Sequence, residues 1–146
     1  MRTSKPNNKA GSIRNDKKKL GIIGGGAAGF FCAANLVEFY AQNPISITIF
    51  ESLSKPMQKL SLSGGGRCNI TNNIPDTKSL AKNYPHGEKF LYSVFSRFSA
   101  QDCINWFQNH NVQVYSDDKG NVFPVSDKSD TVINALYDIV LDSDTI

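Results

Sequence analysis

A parallel α/β fold is predicted by three observations within one stretch of the 146-residue chain, Leu20 to Glu51. A glycine-dense turn, Gly24-Gly25-Gly26-Ala27-Ala28-Gly29, follows a short apolar run and opens a segment with helical periodicity to about Gln42. A second apolar run, Ile45-Ser46-Ile47-Thr48-Ile49-Phe50, then returns. That run ends on an acid, Glu51, 22 residues after Gly29. Strand, glycine turn, helix, strand and carboxylate in this order specify a Rossmann-like βαβ unit of dinucleotide-binding type.

Each position has a physical reason. Gly24 lets the chain leave the first strand in a tight turn, Gly26 leaves bare backbone for a pyrophosphate to approach, and Gly29 lets the helix pack closely on the strand. Ala33 and Ala34 continue that small-residue contact. Free N–H groups and the positive end of the helix dipole face the phosphates, contributing about 0.3–1 kcal/mol per favourable charge at an exposed terminus. Glu51, at the end of the second strand, accepts hydrogen bonds from ribose hydroxyls and repels a 2′-phosphate, which favours FAD or NAD over NADP at this site. A lone G-x-G-x-x-G is weak, and it is the flanking strands, helix and acid that make it specific. A secretory signal is the competing reading, because Lys17-Lys18-Lys19 precedes an apolar segment ending near Cys32-Ala33-Ala34. Three consecutive glycines and a start at residue 20 argue against it.

Composition is that of an ordinary soluble globular chain, 40% hydrophobic and 20% charged, with a net charge of +3. The charge is uneven. Residues 1–19 hold seven of the sixteen Lys and Arg against one of the thirteen Asp and Glu, so they carry +6 and the rest of the chain −3. The folded part is mildly acidic. Residues 1–18 read as a disordered basic tail and 19–146 as the N-terminal part of a Rossmann-like domain. Such a tail can bind nucleic acid or anionic lipid, but a solvated extension is the expectation, so nucleic acid is an unlikely partner. No uninterrupted apolar stretch is long enough to span a membrane. Three cysteines without a C-x-x-C pair fit a reduced, cytoplasmic setting and give no metal-ligand spacing. Cys32 and Cys103 are expected to be small core residues.

After Glu51 comes a second glycine cluster, Lys59-Leu60-Ser61-Leu62-Ser63-Gly64-Gly65-Gly66-Arg67-Cys68-Asn69-Ile70-Thr71-Asn72. Three glycines beside Ser63 and Arg67 make either an anion-binding loop or a glycine turn with a surface arginine. Glu88 to Phe98 puts Phe90, Leu91, Val94, Phe95 and Phe98 on one helical face, predicted to pack in the core rather than to form a ligand box. Ser99 caps a further helix carrying Ile104, Trp106 and Phe107. Val112–Tyr115, the turn Asp117-Asp118-Lys119-Gly120 and Val122-Phe123 predict a hairpin. A last helix, with Ser129 as its possible cap, presents Val132, Ile133, Leu136, Ile139 and Val140. His86 and His110 sit in no recognisable catalytic pattern and are expected at the surface or in loops.

The pairing of GGGAAG with SGGGRCNITN resembles the bacterial YhiN/BaiN-type flavoproteins, a group of NAD(P)/FAD-dependent oxidoreductases that includes proteins described as aminoacetone oxidases. Asn83-Tyr84-Pro85-His86-Gly87, Trp106-Phe107 and Gly120-Asn121-Val122-Phe123-Pro124-Val125-Ser126 extend the resemblance from about Lys18 to Leu141. It implies bound FAD, with Gly24, Gly26, Ala27, Ala28 and Gly29 at the pyrophosphate and Glu51 at the adenosine ribose. By the same resemblance Lys59, Ser63, Gly64, Gly65, Gly66, Arg67, Cys68 and Asn69 lie along the cofactor towards the flavin. Met57 departs from several relatives that carry a glycine there, although others have a stretch like Pro56-Met57. With no partner cysteine in its vicinity, Cys68 is expected to be structural rather than redox-active.

No third parallel strand is visible before Ile146, so the Rossmann-like unit is expected to be incomplete at the C-terminus. The resemblance implies hydride transfer from a nicotinamide, NAD(P)H, through the flavin to an unknown organic substrate. The residues that choose the substrate are expected beyond Ile146, and no catalytic residue is assigned. The alternatives are a non-catalytic nucleotide-binding fragment, or one half of a split protein that needs a second polypeptide.

Overall fold

The computed structural model describes residues 18–43 and 45–141. Residues 1–17, which hold most of the predicted basic tail, and residues 142–146 lie outside the described residues.

The predicted βαβ unit forms. Strand β1 (Lys19–Ile23) runs parallel to β2 (Ser46–Phe50), with Lys19 opposite Ser46 and Ile23 opposite Phe50. Parallel neighbours need a crossover, and helix α1 (Ala27–Phe39) supplies it. The Gly24 N–H continues the ladder by donating to the Phe50 carbonyl at 2.8 Å. Helix α1 buries Gly29, Phe30, Ala33 and Ala34, a stripe repeating every four residues. Cys32 falls off that stripe and is exposed, which corrects its expected place in the core. The helix ends at Phe39, short of the predicted Gln42, and residues 40–43 form the turn into β2.

One face of the parallel pair is covered and the other is open. Ile45 and Ile47 are buried, whereas Ile23 is 93% and Phe50 58% exposed. Parallel sheets ordinarily have both faces covered. No third strand pairs with β1 or β2 among the described residues.

Beyond β2 come the short helix α2 (Gln58–Leu62), a tight turn over Ser63–Gly66, strand β3 (Thr71–Asn72) and helices α3 (Thr77–Lys82) and α4 (Glu88–Phe95). Helix α5 (Ala100–Asn109), strands β4 (Val114–Ser116) and β5 (Asn121–Pro124), and helix α6 (Ser129–Leu141) follow. Strands β3, β5 and β4 form an antiparallel sheet in that order, so the predicted hairpin is one edge of a three-stranded sheet. Ser99 caps α5 as expected: its hydroxyl accepts from the Asp102 N–H at 3.1 Å, while the Asp102 carboxylate accepts from the Ser99 N–H at 2.8 Å. Ser129 is the first residue of α6, buried, and its hydroxyl donates to the Ser61 carbonyl at 3.2 Å, tying α6 to α2. Helix α6 packs on α1, with Phe30 and Tyr137 edge to face at 4.9 Å between ring centres.

One further expectation is corrected. Helix α4 stops at Phe95 and buries none of its residues, and Phe90 is 74% exposed. Its main neighbour is α3. Its apolar face therefore lacks the core contacts predicted for it, while Phe98, beyond the helix, reaches α1 through the Phe31 ring at 5.7 Å. His110 is half-buried at the end of α5, with Nδ1 2.6 Å from the Trp106 carbonyl and Nε2 2.5 Å from a Glu38 carboxylate oxygen. It sits in the turn that follows α5, as expected, and joins α5 to α1.

Candidate functional site

Helix α1 opens on a bare N-terminus. Gly26 is its N-cap, no side chain caps it, and the Gly26 carbonyl already accepts from the Phe30 N–H at 3.1 Å. The first N–H groups of an α-helix have no partner within the helix, so those of Ala27 and Ala28 are free to meet an anion. The three glycines of the turn differ in what they do. Gly24 holds φ +103°, open to glycine and strained for other residues. A Cβ on Gly29 would lie 2.0 Å from the Gly24 carbonyl oxygen, so helix and turn touch through bare backbone there. A Cβ on Gly26 would meet nothing within 4 Å, because it would project into open space.

That space is a groove of about 620 Å³. Of the residues predicted to hold a cofactor, it brings together Gly26, Ala27, Ala28, Glu51, Lys59, Ser63 and Asn69. One Glu51 carboxylate oxygen accepts from the Gly25 N–H at 2.7 Å, and the other from the Leu53 N–H at 2.8 Å. The Leu53 N–H first, then that of Gly25, hold this carboxyl below the usual range. It is therefore an anion at neutral pH, fixed against the glycine turn with lone pairs left for ribose hydroxyls.

Sequence reasoning missed Lys55 as a lining residue of this groove. Its signal was present: a second lysine four residues before Lys59, in the loop that follows the acid. Met57 was singled out only as a departure from relatives. It is buried, lines the groove, and its N–H donates to the Gly25 carbonyl at 2.8 Å, tying this loop to the glycine turn. Its φ of +54° lies in the left-handed region that favours glycine.

The second glycine cluster turns sharply. Gly64, Gly65 and Gly66 all have positive φ, at 57°, 69° and 88°. A Cβ on Gly64 would lie 2.9 Å from both the Asn69 nitrogen and the Phe123 ring, whereas Gly65 and Gly66 face open space. Gly24, Gly29, Gly64, Gly65, Gly66, Arg67 and Cys68 do not line the groove. Arg67 points to the antiparallel sheet instead. Its guanidinium lies over the Phe123 ring at 4.0 Å, and its Nε donates to the Gly64 carbonyl at 3.2 Å.

Cys68 is buried and lines a second, apolar cavity of about 310 Å³ next to Ala27, Ala28 and Asn69. Cys103 lines the same cavity, so the expectation that no other cysteine comes near Cys68 is corrected. Burial pushes both thiols up, Cys103 to about 11 with a further contribution from the charge of Cys68. Both are neutral and poorly nucleophilic at physiological pH, as a structural role for Cys68 requires.

Residues 18–145 match the family described as HI0933-like protein Rossmann domain. Among curated proteins the chain is similar to a ribosomal RNA dihydrouridine synthase of Escherichia coli, 32% identical over 80% of this chain and 27% of that protein. A protein of the same name from Haemophilus influenzae is 35% identical over 70% of this chain and 24% of its own length. A 3-dehydro-bile acid delta(4,6)-reductase of Clostridium scindens is 27% identical over 81% of this chain and 27% of its own length. The chain spans about a quarter of the length of these relatives.

Proposed function

Because the chain belongs to the HI0933-like Rossmann-domain family, a family of flavoproteins, we propose that its groove holds the ADP half of FAD as one part of an oxidoreductase. The observation that carries this reading is the joining of the uncapped N-terminus of α1 to an ionised Glu51 across one open groove. In this reading the Ala27 and Ala28 N–H groups meet the pyrophosphate, Lys55 and Lys59 balance its charge, and Glu51 takes the adenosine ribose. The fit is physical: Gly26 leaves its Cβ position empty, and the groove volume lies within the range of cofactor sites, about 300–1,000 Å³. Arg67 braces the glycine loop from outside, through the Gly64 carbonyl and the Phe123 ring.

A flavin supplies two-electron hydride chemistry, and NAD(P)H is its proposed donor. The relatives' names suggest the acceptor. Dihydrouridine is uridine with its ring double bond saturated, and a delta(4,6)-reductase of a 3-dehydro substrate acts on double bonds conjugated to a carbonyl. The shared chemistry is addition of hydride and a proton across a polarised carbon–carbon double bond. We extend that substrate class to the protein this chain represents.

A second reading is that these residues bind nucleotide but need further polypeptide for turnover, and the open face of β1 and β2 favours it. The test for both is one titration. Purified chain incubated with FAD and desalted should keep the visible flavin bands at close to one flavin per chain; a colourless protein sinks the cofactor assignment. Brisk NAD(P)H oxidation by the loaded chain alone would sink the second reading.

A further inference from the structure

We propose that the cleft between β3, α3, α4 and the start of α5 is a subsite for a flat, uncharged, conjugated carbonyl ring. The proposal rests on the reading of the groove as a nucleotide site and deepens it. The cleft measures about 380 Å³, within the range of small-molecule sites. It also adjoins the groove: Asn69 lines the groove, the apolar cavity and the cleft alike.

The lining selects the ligand. Tyr84 and Phe95 form an aromatic wall, ring centres 5.6 Å apart and tilted by 45°, and Phe98 adds a third ring. Tyr84 and Phe98 stay partly exposed, at 45% and 37%, which leaves ring surface for a partner. Asn69 and Thr71 line the same cleft. The Asn69 Nδ2 reaches only Asn121, at a long 3.4 Å, so the amide keeps hydrogen-bonding capacity to spare. Among the described residues no Asp, Glu, Lys, Arg or His lines the cleft. The groove, by contrast, carries Glu51, Lys55 and Lys59, so the charged parts of a ligand suit the groove and the neutral parts the cleft. Aromatic faces with the amides of Asn69 and Asn72 and the hydroxyls of Thr71 and Ser99 suit a planar ring with a carbonyl or imide edge, and an anion would enter without a counter-charge.

Two sources share this chemistry: the ring of the flavin itself and the ring of a substrate. Nitrogen-15 spectra of the full 146-residue chain, titrated separately with riboflavin, uridine and ADP, distinguish them. Either ring should give saturable shifts at Asn69, Thr71, Asn72, Tyr84 and Phe98, while ADP should shift Gly26, Ala27, Ala28 and Lys59 and leave Tyr84 and Phe98 unmoved. Riboflavin binding alone identifies the flavin ring as occupant; uridine binding with FAD already present identifies a substrate ring. No cleft shift with either ring at millimolar concentration overturns the proposal. Ring binding without ADP binding overturns the groove assignment and leaves the cleft standing. Tyr84→Leu and Phe98→Leu alter partly exposed rings; thermal melts check that both variants fold, and each should weaken ring binding about tenfold with ADP affinity unchanged. Unaltered ring affinity in both variants also overturns it.

Discussion

One methylene at two neighbouring glycines should have opposite consequences. In Gly29→Ala the new Cβ would sit 2.0 Å from the Gly24 carbonyl oxygen and 3.2 Å from its carbon, far inside normal contact. The oxygen belongs to backbone in a tight turn, so α1 and β1 must separate by roughly 1 Å, loosening the buried stripe of Phe30, Ala33 and Ala34. Overpacking of this kind costs about 1–3 kcal/mol, which for a chain of this size lowers Tm by roughly 4–12 °C. In Gly26→Ala the Cβ meets nothing, and the backbone at φ −84° and ψ −174° is ordinary extended chain. Loss of glycine entropy from the unfolded state should leave stability unchanged or raise it by about 0.4–1 kcal/mol. The same methyl group occupies the space assigned to the pyrophosphate. If it costs one charge-assisted hydrogen bond of about 1.5–3 kcal/mol, FAD affinity falls roughly 10- to 150-fold. Thermal melts and a flavin fluorescence titration of both variants settle the matter. Wild-type affinity in Gly26→Ala would refute the placement of the phosphates, and wild-type stability in Gly29→Ala would refute the backbone contact.

Further outcomes follow from individual residues. Met57→Ala should destabilise more than Met57→Gly by about 1–2 kcal/mol in urea, because both lose a side chain only 2% exposed but glycine also relieves the left-handed φ of +54°. Equal midpoints would count against that strain. Glu51→Gln replaces one acceptor oxygen by an amide donor facing an N–H, so adenosine affinity should fall. In the wild type the depressed carboxyl gives stability that is present above the ordinary carboxylate range and lost as pH falls through its lowered value; acid titration of the variant should lack that step. A maleimide at pH 7 should label Cys32 quickly, the partly buried Cys103 more slowly and Cys68 only on unfolding, and rapid labelling of Cys68 would contradict its burial. With the Cys103 thiol raised to about 11, the folded state holds its proton where the unfolded chain has lost it, so stability should decline between about pH 9 and 11. Cys103→Ala should flatten that decline.

Much of the nucleotide groove was legible because its signals are local. Gly24, Gly26, Gly29 and Glu51 lie in one βαβ unit whose spacing is fixed by a 13-residue helix and two five-residue strands. The Ser99–Asp102 cap and the Asp117–Gly120 turn are likewise short-range and formed where the residues predicted them. Lys55 escaped notice because its place in the groove depends on the Met57 N–H reaching back to Gly25, a contact between segments about thirty residues apart. The approach of Cys103 to Cys68 was invisible for the same reason.

Hydrophobic periodicity misled at α4, and the cause is general. A repeat such as Phe90, Leu91, Val94 and Phe95 establishes that a helix has an apolar side, but burial requires a second surface to meet it. Here that surface is absent from the described residues, as it is for the face of the parallel pair carrying Ile23 and Phe50. Helix α1, with a far less segregated pattern, buries four residues because β1, β2 and α6 all lie against it. Burial is thus decided by which elements are available to pack, and pattern alone decides only which side they would choose. The same reasoning separates the two ends of the candidate site. The groove is complete in its backbone donors and its acid because both arise within one unit, whereas the cleft beside Tyr84 and Phe98 is walled by α3 and α4, the elements with the least packed against them. Chemistry that depends on excluding water therefore falls to whatever closes over that cleft, and nucleotide binding should be the more robust of the two properties.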